Sequence, residues 1–157
     1  MVVAKATIIS NVFEEFYDLL NTNITSVIVT GSVTVKVQKY TNSFPDNSVT
    51  QKSDYPILIT NSPEINWEEF TFSKTNVSGT IRIEIFATQL EAADKFLDLI
   101  NNTIETNKRV LRIKGIEEIK LSGTDRDDFF DRGGIKLHLR AAIFSFNFKF
   151  DKGSSGY

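Results

Sequence analysis

The residues best suited to chemistry are carboxylates that lie close together after residue 121. Four aspartates form this group: Asp125, Asp127, Asp128 and Asp131. Their oxygens are the ligands that Ca²⁺ and Mg²⁺ prefer, but the run lacks the glycine and the closing glutamate of a calcium loop. Arg126 and Arg132 are interleaved and would compete for the carboxylates. We therefore expect a solvated or salt-bridged loop over 122–133, and a weak divalent-cation site is the alternative.

Nucleophilic or acid–base chemistry has few candidates in this chain. His138 is the only histidine, so a Ser-His-Asp triad could use no other base. Its neighbours at i±2, Lys136 and Arg140, indicate a solvated face of a strand. The adjacent carboxylates of Glu68 and Glu69 would point to opposite sides of an extended chain. With no nucleophile elbow, phosphate loop or dinucleotide fingerprint in the sequence, we expect no catalytic residue, cofactor or metal, and no enzyme activity.

Composition narrows the class of protein further. The chain has 157 residues, 41% of them hydrophobic and 24% charged, which is typical of one folded domain with its own core. The absence of cysteine excludes disulfides, thiolate zinc sites and cysteine nucleophiles. The net charge is −2, so the chain lacks the basic surplus of a duplex-binding domain. No apolar run approaches the roughly 18 residues of a membrane helix, so we expect no membrane partner. Because the basic surplus is missing, we also expect no specific nucleic-acid partner.

Hydrophobic periodicity predicts an α+β domain whose elements follow the order α-β-β-β-β-α-β-β. The predicted helices are 5–21 and a second one that runs from a Thr88–Glu91 capping box to about 107. The predicted strands are 26–38 with a bulge, bend or turn at Gly31, 55–60, 70–73, 77–87, 110–121 and 134–150. A long polar loop covers 40–54. We expect a mainly antiparallel sheet of about four to six strands with two helices packed on it.

The strand Val77–Ala87 shows the clearest alternation, with polar residues such as Arg82 and Glu84 on a mostly wet face. Only Phe86 interrupts that polar row. The other face is apolar throughout, which indicates one packed and one largely solvated side.

The last predicted strand changes phase in its middle. Apolar residues occupy odd positions up to Ile143 and even positions from Phe144 onward. A period of two requires a bulge or a change of environment there. A strand of this length would run roughly 55 Å, beyond the roughly 40 Å diameter of such a domain. Two interpretations follow: the strand projects and a partner covers its phenylalanines, or a bulged strand crosses the core of its own domain.

The projecting interpretation makes the end of the chain a contact surface between subunits. The candidate interface residues are those of the acidic segment and of the phenylalanine row: Asp125, Asp127, Asp128, Phe129, Phe130, Asp131, Phe144, Phe146, Phe148 and Phe150.

Several short segments occur in an order that adds a family resemblance. They are Tyr55-Pro56-Ile57-Leu58-Ile59, Phe70-Thr71-Phe72-Ser73-Lys74, the strand 81–88 with the helix after it, and an acidic loop before Arg132-Gly133-Gly134-Ile135. In this order the chain resembles, over about residues 5–150, the tail terminator (tail completion) proteins of long-tailed bacteriophages and related archaeal viruses. The long polar loop and the phenylalanine-rich end depart from the pattern of that family.

The resemblance implies a single domain over 1–150, and the Gly/Ser-rich composition of 151–157 indicates a flexible tail. It implies a virion protein that forms a ring, usually a hexamer, caps the tail tube at the head-tail junction and ends tail elongation. The implied partners are further copies of the chain, the tail tube protein and head-tail connector proteins, with DNA free to pass through the lumen. The implied location is the virion, and the host cytoplasm during assembly. Another connector or neck protein, or a small non-enzymatic ligand-binding module, is the alternative.

Overall fold

The computed structural model describes residues 8–28, 31–39, 55–69, 74–130 and 134–151. Three helices lie in these ranges: α1 Ile8–Asn23, α2 Leu90–Thr106 and α3 Lys108–Ile113. The first two confirm the predicted helices, and α1 extends to Asn23, two residues beyond its predicted end; residues 5–7 of the prediction lie outside the described residues. The prediction of a strand from 110 is wrong, because the chain turns at Asn107 and continues as α3. Leu111 is the buried residue of this short helix, so α3 carries little of the periodicity that identifies a helix.

Eight strands complete the described fold: β1 Ser26–Ile28, β2 Ser32–Thr34, β3 Lys36–Lys39, β4 Ile57–Thr60, β5 Glu64–Glu69, β6 Lys74–Ala87, β7 Glu117–Phe130 and β8 Lys136–Asp151. The first two form a hairpin around Gly31, whose φ of 139° suits glycine. The other six form one sheet with the order β3-β4-β6-β8-β7, and β5 lies beside β6 in line with β4. All pairs are antiparallel except β3 with β4, which confirms the α+β class.

The last strand, β8, lies inside the sheet. It pairs with β6 without interruption from Asp151 opposite Lys74 to His138 opposite Ala87. Its other edge pairs with β7. Because β6 pairs with β8 as far as Asp151 and β7 pairs with it as far as Asn147, the interpretation of a projecting strand is wrong, and the strand crosses the core of its own domain.

The phase change in β8 arises from a change of environment and not from a bulge in its pairing with β6. Phe144, Phe146 and Phe148 point to the side of the sheet that α1 and α2 cover, which we call the helix face. They are 2%, 3% and 1% exposed, and the ring of Phe146 lies 6.2 Å from that of Phe16 in α1. These three candidate interface residues are therefore covered within the chain and offer no apolar surface to a partner.

Leu137 and Leu139, at the other end of β8, point to the opposite face of the sheet. They form a second cluster together with Tyr55, Ile57, Ile59 and Phe86. The two faces of β8 are thus buried at different points along its length. A strand that is half-buried on alternate sides explains why its apolar residues change parity in the middle.

The segment predicted as a loop over 122–133 is a strand as far as Phe130. Its pairing with β8 shifts register between Glu117 and Lys120 and again between Leu121 and Gly123, and is regular from Gly123 onward. Asp131 and the predicted elements at 40–54 and 70–73 lie outside the described residues. No helix among the described residues is long and apolar enough to cross a membrane.

Gly79 and Phe146 provide a test of this packing, because they stand opposite each other in β6 and β8. A Cβ on Gly79 would lie 2.7 Å from Phe146 Cζ and 2.6 Å from the carbonyl oxygen of Glu64. We expect Gly79→Ala to lower the free energy of unfolding by about 1–3 kcal/mol, because the backbone contact cannot be relieved by a rotamer change. Urea denaturation measures this difference.

Gly123→Ala is the matched control, since no atom lies within 4 Å of its added Cβ. We expect it to be neutral or slightly stabilising, because alanine restricts the unfolded chain. Equal effects of the two substitutions would contradict the packing described here.

Candidate functional site

The aspartates of β7 do not converge on one point. Residues opposite each other in an antiparallel pair share a face, so Asp125, opposite Ala141, lies on the face opposite the helices, as does Asp127. Asp128 stands opposite His138 on the helix face. Within the described part of the chain there is no cluster of three or more potential metal ligands. The structure therefore separates the carboxylates that the sequence placed together.

Two of these carboxylates contact side chains of other strands in the sheet, Asp125 through Arg82 and Asp128 through His138. Asp125 accepts a hydrogen bond from Arg82 of β6, and Asp128 lies 2.7 Å from Nδ1 of His138. The hydrogen bond with His138 lowers the pKa of the Asp128 carboxyl below its usual value. His138 is thereby engaged in a cross-strand contact, and its side chain is only 15% exposed. The expectation of salt-bridged carboxylates is confirmed for Asp125.

A polar chain crosses the face opposite the helices, and sequence reasoning missed its central residue. Glu84 of β6 has a side chain that is 1% exposed. It accepts a hydrogen bond from the Asn61 side-chain amide, and its other oxygen lies 3.5 Å from Nε of Arg82. Arg82 in turn bonds Asp125. This series of polar contacts thus links the end of β4, the strand β6 and the edge strand β7.

Burial dominates the electrostatics of Glu84. Loss of hydration raises the pKa of its carboxyl, and the opposing effects of Asn61 and Arg82 do not cancel that rise. The second carboxylate oxygen is buried and makes no hydrogen bond. Ionised Glu84 is therefore an unfavourable group in the folded chain.

The edge strand β7 is exposed over most of its described side chains. Every described residue from Thr124 to Asp128 is exposed, and Leu121 is 42% exposed. The outer edge of β7 has no partner strand among the described residues, so its outward amides and carbonyls are available for pairing. Of the candidate interface residues, Asp125, Asp127 and Asp128 lie on this surface.

Three further candidate residues are described by their backbone position. Phe129 and Phe130 end β7 opposite Leu137 and Lys136, and Phe150 stands opposite Thr75 of β6. Phe150 is thus separated along β8 from the acidic segment of β7. The ten candidates do not form one surface.

A shallow groove of about 360 Å³ lies beside the start of α2. Its lining is mainly apolar and comprises Val33, Tyr55, Pro56, Ala87, Thr88, Gln89 and Ala92. The predicted capping box of Thr88 and Glu91 is wrong, because the N-cap residue is Gln89 and its side chain makes no capping hydrogen bond. Apolar walls beside the N-terminus of α2 could hold a small ligand with an acidic end.

Comparisons with known proteins add no family to this description. A scan against protein-family models finds no match, and a search of curated proteins finds no significant relative.

The raised pKa of Glu84 predicts a pH-dependent comparison with Glu84→Gln. Below the usual pKa of 4.5 the carboxyl is protonated in both folded and unfolded chains, and the two proteins should be similarly stable. As pH rises through the higher folded-state pKa, the wild type loses stability relative to the glutamine variant. Urea denaturation between about pH 4 and about pH 7 measures the difference.

Glu91→Gln is the control, because Glu91 is exposed and pairs with Lys95 on the surface of α2. Its stability relative to the wild type should change little over the same range. A Glu84→Gln difference that is independent of pH would show that Arg82 fully compensates the buried charge.

Proposed function

We propose that this chain is a structural subunit of a virus tail, which assembles into a ring, hexameric by the family resemblance, that caps the tail tube at the head-tail junction. The observation that carries the assembly part is the outer edge of β7, which is exposed from Thr124 to Asp128 and has no partner strand among the described residues. Long free edges are rare in monomers because they invite pairing with other chains. The tail terminator part rests on the resemblance of the ordered sequence segments.

The geometry of the polar residues supports assembly over catalysis. The β7 aspartates point to opposite faces of the sheet, and His138 is occupied by Asp128. Neither arrangement brings a nucleophile, a base and a substrate pocket together as enzymatic sites require. The charges of β7 are instead displayed along an edge, where they can select a partner strand.

Measurement of molecular mass tests the proposal. We expect the purified chain to form a discrete oligomer, or to form rings when mixed with tail tubes built from the tube protein of the same genome. Analytical ultracentrifugation gives the mass, and electron microscopy shows whether rings occupy one end of each tube. A chain that stays monomeric at every concentration and is not recruited by tubes would overturn the proposal.

A head-tail connector or neck protein is the related alternative, and a ligand-binding module is the candidate from another class. The groove beside α2 favours the latter. It predicts saturable stabilisation by a small acidic apolar compound without a change in mass. The substitution Gln89→Trp, at an exposed residue of the lining, would fill the groove and abolish that stabilisation, while a ring-forming protein would assemble as before.

A further inference from the structure

The edge strand β7 restricts its possible partners through its charges. Between Gly123 and Phe130 its register with β8 is regular, so this stretch can accept a further strand. Before Gly123 two register shifts distort the edge and oppose pairing. The usable stretch contains Asp125, Arg126, Asp127 and Asp128 and thus has a surplus of negative charge.

Symmetric pairing of two β7 strands is disfavoured. A two-fold axis perpendicular to a continuous antiparallel sheet leaves every side chain on its own face of the sheet. Since residues directly opposite each other must share a face, one residue at the axis must stand opposite its own copy. For an axis anywhere between Asp125 and Asp128, that residue is charged and meets a like charge. Like charges directly opposite each other destabilise a strand pair. A partner strand of the opposite charge is therefore favoured over a second copy of β7.

The opposite edge of the same sheet has the complementary charge. β3 is the sequence Lys36-Val37-Gln38-Lys39, with two positive residues and no acidic one, and pairs only with β4 among the described residues. The free side of β5 is unsuitable, because its sequence contains Glu64, Glu68 and Glu69. Among the free edges in the described part of the chain, β3 is thus the match for β7.

The strand directions also fit. β3 is parallel to β4, and each step from β4 through β6 and β8 to β7 is antiparallel, so β3 and β7 run in opposite directions. A second copy placed beside the first, with its strands in the same orientation, brings its β3 antiparallel to β7. This is a head-to-tail contact, which closes into a ring when the rotation between copies permits.

We infer that copies of this chain associate by pairing the acidic edge of β7 with the basic edge strand β3 of the next copy, so that the sheets continue across the assembly. The inference rests on the proposed self-assembly and assigns its interface. β3 has four residues, so one contact spans only about 13 Å. Such a contact is weak alone. Closure of the ring stabilises the assembly, because the last contact forms between copies that are already connected.

Cross-linking between introduced thiols tests this interface, since the chain has no cysteine of its own. Thr124→Cys in β7 and Gln38→Cys in β3 leave the charges unchanged. With a short bifunctional maleimide we expect a ladder of covalent multimers from the double variant and loss of that ladder in either single variant. Asp98→Cys with Gln38→Cys is the control, because Asp98 is exposed on α2, outside the sheet.

Charge reversal provides a second measurement. We expect Asp127→Lys to weaken association about tenfold by sedimentation, because it removes the surplus of negative charge that β7 presents to the lysines of β3. Asp98→Lys makes the same change in net charge and should leave association unchanged. Lys36→Glu together with Lys39→Glu, in a chain that keeps Asp127, should likewise weaken association, because both edges would then carry a surplus of negative charge.

The outcomes separate the interface from the function. A wild-type oligomer without a ladder from the double variant, or dimers cross-linked through Thr124→Cys alone, would overturn the β7–β3 interface and leave the ring proposal standing. A wild-type chain that is monomeric with and without tubes would overturn both.

Discussion

The pairing of β6 with β8 is the constraint on which the rest of the structure depends. Fourteen consecutive residue pairs join the two strands in a single register. A slip by one residue would turn Phe144, Phe146 and Phe148 away from the helices and place Ser145 and Asn147 in the core. The cost of burying those polar groups, together with the loss of three buried aromatic rings, fixes the register. The absence of a side chain on Gly79 gives the ring of Phe146 its place.

Periodicity predicted the parts of this fold in which each element has one clear buried face. The alternation in β6 and the apolar stripes of α1 and α2 belong to this group. β7 escaped prediction because Asp125, Arg126, Asp127 and Asp128 are exposed on both of its faces, which leaves no alternation and a composition typical of loops. Its extended conformation follows from hydrogen bonding to β8, which is tertiary information. The helix α3 escaped prediction because it too lacks a periodic buried face, since Leu111 is its buried residue.

The candidate site could be predicted in part. The exposed acidic segment was recognised from sequence, and its pairing with cations was expected. The series of polar contacts from Asn61 through Glu84 to Arg82 was not expected, because Glu84 belongs to a row of polar residues that indicates a solvent-exposed face. One signal was present: Phe86 breaks that row, and it is buried at the same end of β6 where Glu84 is covered. A single apolar residue in a polar row can mark where the second side of a sheet becomes buried.

The position of β8 in the chain also affects biosynthesis. β6 and β7 both precede their shared neighbour in sequence, so the ribosome delivers the outer pair before the strand that belongs between them. Until β8 emerges, the apolar side chains of β6 and the helix faces above them stay wet, and intermediates with such surfaces aggregate readily. The nascent chain therefore exposes apolar surface to which chaperones can bind, and this surface is buried only when β8 takes its place between β6 and β7.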